Sequence, residues 1–377
     1  MVRMTDDDMA GKSFENKTNA SFSTNGRSDL HGLSIFDITT NASSTGSLAW
    51  YDRNYYSYGT VMFFILTLGF LGNVLTIIVF LQREQRTKVI APFVINLAVA
   101  DLFIVLFGYP VAITANLSGM KLVSGESRCT WSAFVNGATG IASIAMLTEI
   151  SVLMCYTITS VKPVVTRKDK FLSRKFTVSV LVGAWIYGIL SMSPPLLGWS
   201  RFVPGSAGIS CGPEWGSSTI EALTYSIGLM FIGFFLPMTI ILVSFYRIYR
   251  FLSQSNVPTN LGILQSRHHQ SQMKIVHMII MTIVAFVISW SPYCAVSLGA
   301  MFRRGHVLAH GEAEIPELLA KSSVIYNPII YMTMSKNFRK TVKRTIFQSL
   351  SGCSRSLVRP SVCSLQPRAH RDRKEFV

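Results

Sequence analysis

The sequence is poor in charge. Asp, Glu, Lys and Arg make up 14% of its 377 residues while 49% are hydrophobic, against roughly a quarter charged in soluble domains. That balance excludes an ordinary water-soluble domain, because so much apolar surface needs lipid to face. Acids are the scarcer sign, 19 against 35 Lys and Arg, leaving a formal net charge of +16. Cysteines number six, too few for a disulfide-built scaffold. No apolar core follows Met1, so no cleaved signal is expected and the first span serves as its own insertion signal. No internal repeat is evident, which argues against transporters built from duplicated halves.

What is abundant is apolar runs of about 20 residues, the length that crosses a hydrocarbon core of about 30 Å. They occur from Gly59 to Leu81, Ala91 to Ala115, Trp131 to Thr159, Phe176 to Leu197, Tyr225 to Tyr246, Ile275 to Met301 and Ile315 to Met334. The expected fold is an all-α membrane protein, a seven-transmembrane helix bundle over residues 55–334. The third run contains Glu149, and the seventh contains Glu317 and Lys321. Ionisable residues inside such spans usually face the bundle interior and mark function.

With residues 1–54 outside, 24 of the 35 Lys and Arg fall in the connectors and tail on the opposite side. This positive-inside bias places the N-terminus extracellular and the C-terminus cytoplasmic, in an integral protein of the plasma membrane. Lys336, Arg339, Lys340, Lys343 and Arg344, with Phe338, Ile346 and Phe347 at helical spacing, predict an interfacial amphipathic helix over 335–350, lying on anionic lipid. Residues 351–377 form a cytoplasmic tail. Basic charge distributed in this way fits a membrane and no nucleic acid.

Asn16, Asn19 and Asn41 fit the N-glycosylation pattern within a polar outer tail, and Asn116 fits it after the second span. Cys129 and Cys211 fall on the outer side, where a bridge would persist. Cys155 and Cys294 read as small buried apolar residues, and Cys353 and Cys363 as palmitoylation candidates at most.

Polar residues and prolines recur inside successive spans as Gly72-Asn73-Val74, Asn96-Leu97-Ala98-Val99-Ala100-Asp101, Trp185, Pro237, Trp290-Ser291-Pro292-Tyr293 and Asn327-Pro328-Ile329-Ile330-Tyr331. Their order resembles that of rhodopsin-like G-protein-coupled receptors. Singly, a buried Asn only ties helices together and a proline only bends one. In order on successive spans they cover most of residues 55–345. The resemblance implies a water and sodium network on Asn73, Asp101 and Asn327, with Pro292 and Pro328 as hinges and Tyr331 in the same activation core.

Within that class the chain resembles the animal opsins through Lys321, six residues before Asn327, and through Pro194-Pro195-Leu196-Leu197-Gly198-Trp199-Ser200-Arg201-Phe202-Val203-Pro204. A lysine well inside a span is costly unless it snorkels, pairs or reacts. A desolvated amine also suits Schiff-base formation with an aldehyde. The resemblance implies retinal on Lys321, 11-cis in the dark, with Trp290 and Tyr293 against the polyene. It also implies a lid pinned by a Cys129 to Cys211 disulfide and tied by Arg201 and Glu214.

The chain departs from the family in its acids. The two positions that commonly balance a Schiff-base cation are Ser132 and Gly205 here, and Gly108 and Ala112 nearby carry no carboxylate. Glu317, one helical turn before Lys321, is the leading candidate counterion. Chloride in the space left by Ser132, or a neutral Schiff base, are the alternatives, and Glu317 facing outer water near Arg303 or Arg304 is the bland case. The acidic-Arg-Tyr triplet of the third span is also missing: Leu153-Met154-Cys155 stands there, with Gln272 and Phe245 at the partner positions. A light-sensing receptor signalling to a heterotrimeric G protein is favoured, with arrestin and a receptor kinase as further partners. A retinal photoisomerase of the same fold with little coupling is the alternative. The chain is not expected to be an enzyme otherwise.

Overall fold

In the computed structural model the described residues are 35–159, 173–205, 207–254, 263–302 and 313–356. Chain contacts separate Met1–Gly46 from Ser47–Val377, and the bundle belongs to the second unit. Asn16 and Asn19 lie outside the described residues, as do the side chains of Asn41, Gln272, Cys353 and Cys363 and the whole of Arg303 and Arg304.

Helix α1 is Ile35–Leu81, α3 Ser127–Thr159, α4 Arg174–Met192 and α6 Ile263–Phe302. Helix α2 runs through Ala91–Leu117 and α5 through Ile220–Ser253. Among the described residues, six spans are thus long and apolar enough to cross a membrane. The seventh, α7 (314–334), is built from Glu314–Lys321, a 3-10 turn Ser322–Ile325 and Tyr326–Met334. It carries Glu314, Glu317 and Lys321, which lower its hydropathy. Helix α8, Lys336–Ser356, follows after Ser335 leaves helical geometry (ψ 102°).

Prolines set the irregularities. A proline inside a helix lacks the N–H its turn needs. In α2 a π segment at Ile104–Gly108 lies just before Pro110, and in α5 a second at Phe231–Phe235 lies just before Pro237. Extra-residue turns of this kind take up the strain and rotate the rest of the helix. Pro292 sits within α6, and Pro328 follows the 3-10 turn of α7. Each interruption lies at the level of, or next to, the central cavity described below.

Helix α3, about 50 Å long by its residue count, is packed against α2, α4, α5 and α6. Its inner half joins a large apolar cluster with Leu97, Ile241, Ile279, Phe286 and Tyr331. Large apolar side chains such as Phe64, Leu71, Val182, Leu190 and Leu242 are exposed on the outside of the bundle, the arrangement required when lipid is the solvent. Helix α8 buries Phe338 and Val342 against Phe80 and Tyr331. Arg344 reaches Glu84 of the first connector at 2.7 Å.

After α4, Pro194–Leu197 form a 3-10 turn closed by Gly198 at φ 91°. The chain then makes a hairpin in which β1 (Phe202–Pro204) pairs antiparallel with β2 (Cys211–Pro213). Cys211 is disulfide-bonded to Cys129 at the start of α3, with Cα atoms 5.4 Å apart. The hairpin is therefore fixed across the outer end of the bundle.

Candidate functional site

Beneath the hairpin lies a cavity of about 140 Å³. Its walls are mainly apolar and aromatic, drawn from α2, α3, α5, α6, α7 and β2. Trp290 and Tyr293, three apart on α6, both line it, with ring centroids 6.1 Å apart in an edge-to-face arrangement. Trp290 stacks on Phe286 at 5.4 Å and donates to the Ser323 hydroxyl at 3.3 Å. On α3, Gly140 makes room for it, since a Cβ there would stand 2.9 Å from the indole. Tyr293 accepts a 2.9 Å hydrogen bond from Trp215 of the outer loop, so lid and α6 share a contact.

Lys321 closes the first helical piece of α7 and is only 7% exposed. It does not snorkel. Its Nζ donates to Glu317 Oε1 at 2.5 Å and to the Tyr58 hydroxyl at 3.1 Å. The amine also lies 5.7 Å from the centre of the Tyr58 ring. Glu317 therefore points inward to the lysine, one turn away as helical spacing predicts. Its other oxygen, Oε2, accepts from Ser210, the residue before Cys211. Lysine, carboxylate and lid are joined in one chain of charged and polar contacts.

A second carboxylate reaches the lid from α7. Glu314, 1% exposed, accepts the Ala207 backbone N–H at 2.8 Å. A Cβ at Gly205 would lie 3.5 Å from its Oε1. The lid position where the family carries an acid is thus approached by a carboxylate from α7. Glu314 and Glu317 are three apart and share a face, a signal the sequence contained and the reading passed over. Tyr58, Ser210 and Trp215 were also missed, and nothing local in the sequence marks them.

Asn116 requires a correction. It fits a glycosylation tripeptide, yet it is 1% exposed and its amide donates to Ala112 O at 2.6 Å and Ile209 O at 2.8 Å. A nitrogen committed to two buried carbonyls has no access to a glycan, and the residue holds the lid instead. Leu122 N–H donates to Gly208 O at 2.9 Å beside it. Arg201 and Glu214 form a two-pronged pair at 2.9 and 2.8 Å.

Ser132 is wholly buried, donating to Gly108 O and accepting from Asn136, each at 3.2 Å. It is not among the residues lining the cavity, whereas its neighbours Ala133 and Asn136 are. Cys155 is buried, and Cys294 lines the cavity. Glu149 is half-buried, its Oε2 shielded and without a hydrogen-bond partner among the described residues.

The cavity extends inward to Asp101 and Asn327, where Asn327 donates to Asp101 at 3.0 Å. Asn73 donates to Gly69 O and to Val324 O, both at 2.9 Å, stitching α1 to α7. Pro328 and Tyr331 are buried in the same region, Tyr331 against Phe80 with centroids 6.0 Å apart. Further in, Leu153, Met154 and Cys155 lie in the apolar cluster, where the class places its charged triplet.

The profile of the seven-transmembrane receptors of the rhodopsin family matches residues 72–331. Human melanopsin is 31% identical over 342 residues, 86% of this chain and 70% of its own. A rhodopsin described as Gq-coupled, from Mizuhopecten yessoensis, is 28% identical over 369 residues, covering 90% and 73%. The crystal structure of squid rhodopsin superposes with a TM-score of 0.70 at 25% identity, over 80% of this chain and 88% of that one. A matching profile over most of the bundle, opsin relatives and a buried lysine in the seventh span agree, and the chain belongs to the rhodopsin family of seven-transmembrane receptors, as an animal opsin.

Proposed function

We propose that this opsin senses light through retinal held on Lys321 and signals to a heterotrimeric G protein. The observation that carries the reading is the buried Lys321 amine beside a cavity walled by Trp290 and Tyr293, under a disulfide-pinned lid. These residues fit the group: a nucleophilic amine, long apolar walls and a cover that excludes the water a hydrolysable linkage must avoid. Retinal supplies light absorption and isomerisation, starting from the 11-cis form in the dark.

The protein's own residues supply the rest. Glu317 stands against Lys321 Nζ and balances its positive charge. Ser210 holds the other carboxylate oxygen and so aims the first one at the amine. Chloride near Ser132 is the competing counterion, and the hydrogen bonds Ser132 already makes to Gly108 and Asn136 favour Glu317 over it. Trp290 bonds Ser323 on α7, so a displaced ring pulls on the helix that leads to Asn327 and Pro328. That coupling is what a shift between two bundle states needs. The relative described as Gq-coupled supports a Gq-class partner, and the basic cytoplasmic side offers the surface for it, for arrestin and for a receptor kinase. The N-terminus is extracellular with Asn16, Asn19 and Asn41 glycosylated, in the plasma membrane.

The test is regeneration of purified protein separately with 11-cis- and all-trans-retinal, followed by light-driven nucleotide exchange on a Gq-class protein. A visible or ultraviolet pigment trapped on protein by borohydride, with exchange after illumination, is expected. Pigment formation with all-trans-retinal alone and no exchange would replace receptor by photoisomerase.

A further inference from the structure

Tyr58 was invisible as a site residue, and its placement is the most specific feature of the amine's surroundings. It lies on α1, 263 residues from its partner, and its hydroxyl accepts from Lys321 Nζ at 3.1 Å. It is 6% exposed. On the other side of the amine, Ser210 donates to Glu317, which accepts from Lys321. The four side chains form a connected chain, Tyr58–Lys321–Glu317–Ser210, drawn from α1, α7 and the lid. Tyr109, the neighbouring buried tyrosine, does something different: it donates to the Lys321 backbone carbonyl at 2.7 Å.

We infer that Tyr58 is a positioning residue for the lysine nitrogen, holding it from the α1 side against Glu317, which Ser210 fixes from the lid. The inference rests on the reading of Lys321 as the retinal attachment point. A free ammonium has three N–H groups and satisfies Glu317 and Tyr58 together. Once the nitrogen is bonded to retinal and protonated it keeps a single N–H, which two acceptors then share. Glu317, the charged acceptor, holds the stronger claim. Tyr58 remains beside the nitrogen as the weaker, uncharged acceptor. It also offers the N–H a second station if isomerisation swings it away from Glu317.

The experiment is a spectral pH titration of full-length regenerated pigment, in the dark and after light, for wild type, Tyr58→Phe and Tyr109→Phe. Tyr58→Phe keeps the ring and removes the hydroxyl. Its change from visible- to ultraviolet-absorbing form is expected about one pH unit lower than in wild type, on the scale of one hydrogen bond to a charged group. Tyr109→Phe, equally buried but off the nitrogen, is expected to titrate as wild type. A Tyr58→Phe curve that overlays wild type in both dark and illuminated samples overturns the inference, as does an equal shift in Tyr109→Phe, which signals general loosening. Borohydride trapping on each sample separates this failure from that of the attachment reading: a trapped, unshifted pigment sinks Tyr58 alone, and no trapping in wild type sinks both. If Tyr58→Phe does not fold, Tyr58→Met, which removes the hydroxyl with the ring, takes its place, and an unshifted titration there overturns the inference equally.

Discussion

Replacing Glu317 by Gln removes the one charge that touches the Lys321 amine and keeps the shape of the side chain. At the 2.5 Å separation found here, two unit charges attract by about 7 kcal/mol at an effective dielectric of about 20. Most of that gross attraction is offset by taking both groups out of water. A nearby opposite charge in proteins moves a titration by about 1–3 pH units, and at about 1.4 kcal/mol per unit that leaves about 1.4–4 kcal/mol. The contact here is short and the carboxylate is further fixed by Ser210, so the upper part of that range applies. The sign follows directly: a carboxylate stabilises the protonated, visible-absorbing linkage, so its loss moves the visible-to-ultraviolet transition to lower pH. Glu317→Gln pigment at neutral pH should then absorb in the ultraviolet and recover a visible band only on acidification. The assay is an absorption titration in the dark, repeated with chloride exchanged for a larger anion. An unchanged dark spectrum in Glu317→Gln, with a shift on removing chloride from wild type, would refute the direct role and assign the dark-state charge to a bound ion. The photoproduct is titrated separately, because a moved nitrogen stands differently to Glu317 and Tyr58.

Lys321→Ala should abolish borohydride-trappable pigment while leaving expression and membrane insertion intact; a trapped visible band in that variant would move the attachment point. Cys211→Ala frees a loop of 82 residues from α3, and chain entropy sets an upper limit of about 4.5 kcal/mol on what the bridge contributes. The expected result is a dark pigment that decays within minutes at a temperature where wild type is stable, measured by loss of its main band. Met154→Arg places a guanidinium where a side chain 4% exposed sits in an apolar cluster. Light-driven nucleotide exchange should rise and dark thermal stability should fall, and unchanged exchange with intact pigment would mean that G-protein contact uses other residues.

Legibility followed the range of the interaction. The bundle was readable because lipid demands apolar runs of fixed length, and six of the seven runs reappear as unbroken spans within a few residues. The Lys321–Glu317 contact was readable because four residues on a helix is one turn, whatever surrounds it. The partner Tyr58 was not, because a separation of 263 residues is set by how α1 packs and by no local pattern. Ser210 was hidden in the same way, although adjacency to Cys211 placed it in the lid. Asn116 fits the glycosylation tripeptide, but a tripeptide carries no record of burial, and packing turns its amide onto Ile209 O. The π segments of α2 and α5 were signalled only by Pro110 and Pro237, which foretell strain but not how the helix absorbs it.

The two ends of the bundle are held by different physics, and that difference bears on how the receptor switches. At the outer end, groups from α1 and α7 meet at one nitrogen and the lid reaches it through Glu317, so a change in that nitrogen's direction or charge alters several contacts at once. At the inner end, Leu153, Met154 and Cys155 sit among apolar neighbours in place of a charged triplet. Apolar packing is non-directional and slides at small cost compared with breaking a buried ion pair. The barrier that keeps the dark state in place is thereby shifted toward the contacts around Lys321 and the Asn327–Asp101 contact. Weakening either should raise exchange in the dark, and Asn327→Ala with intact pigment is the variant that measures it: dark exchange above wild type is expected, and dark exchange at the wild-type level would return the restraint to the inner apolar cluster.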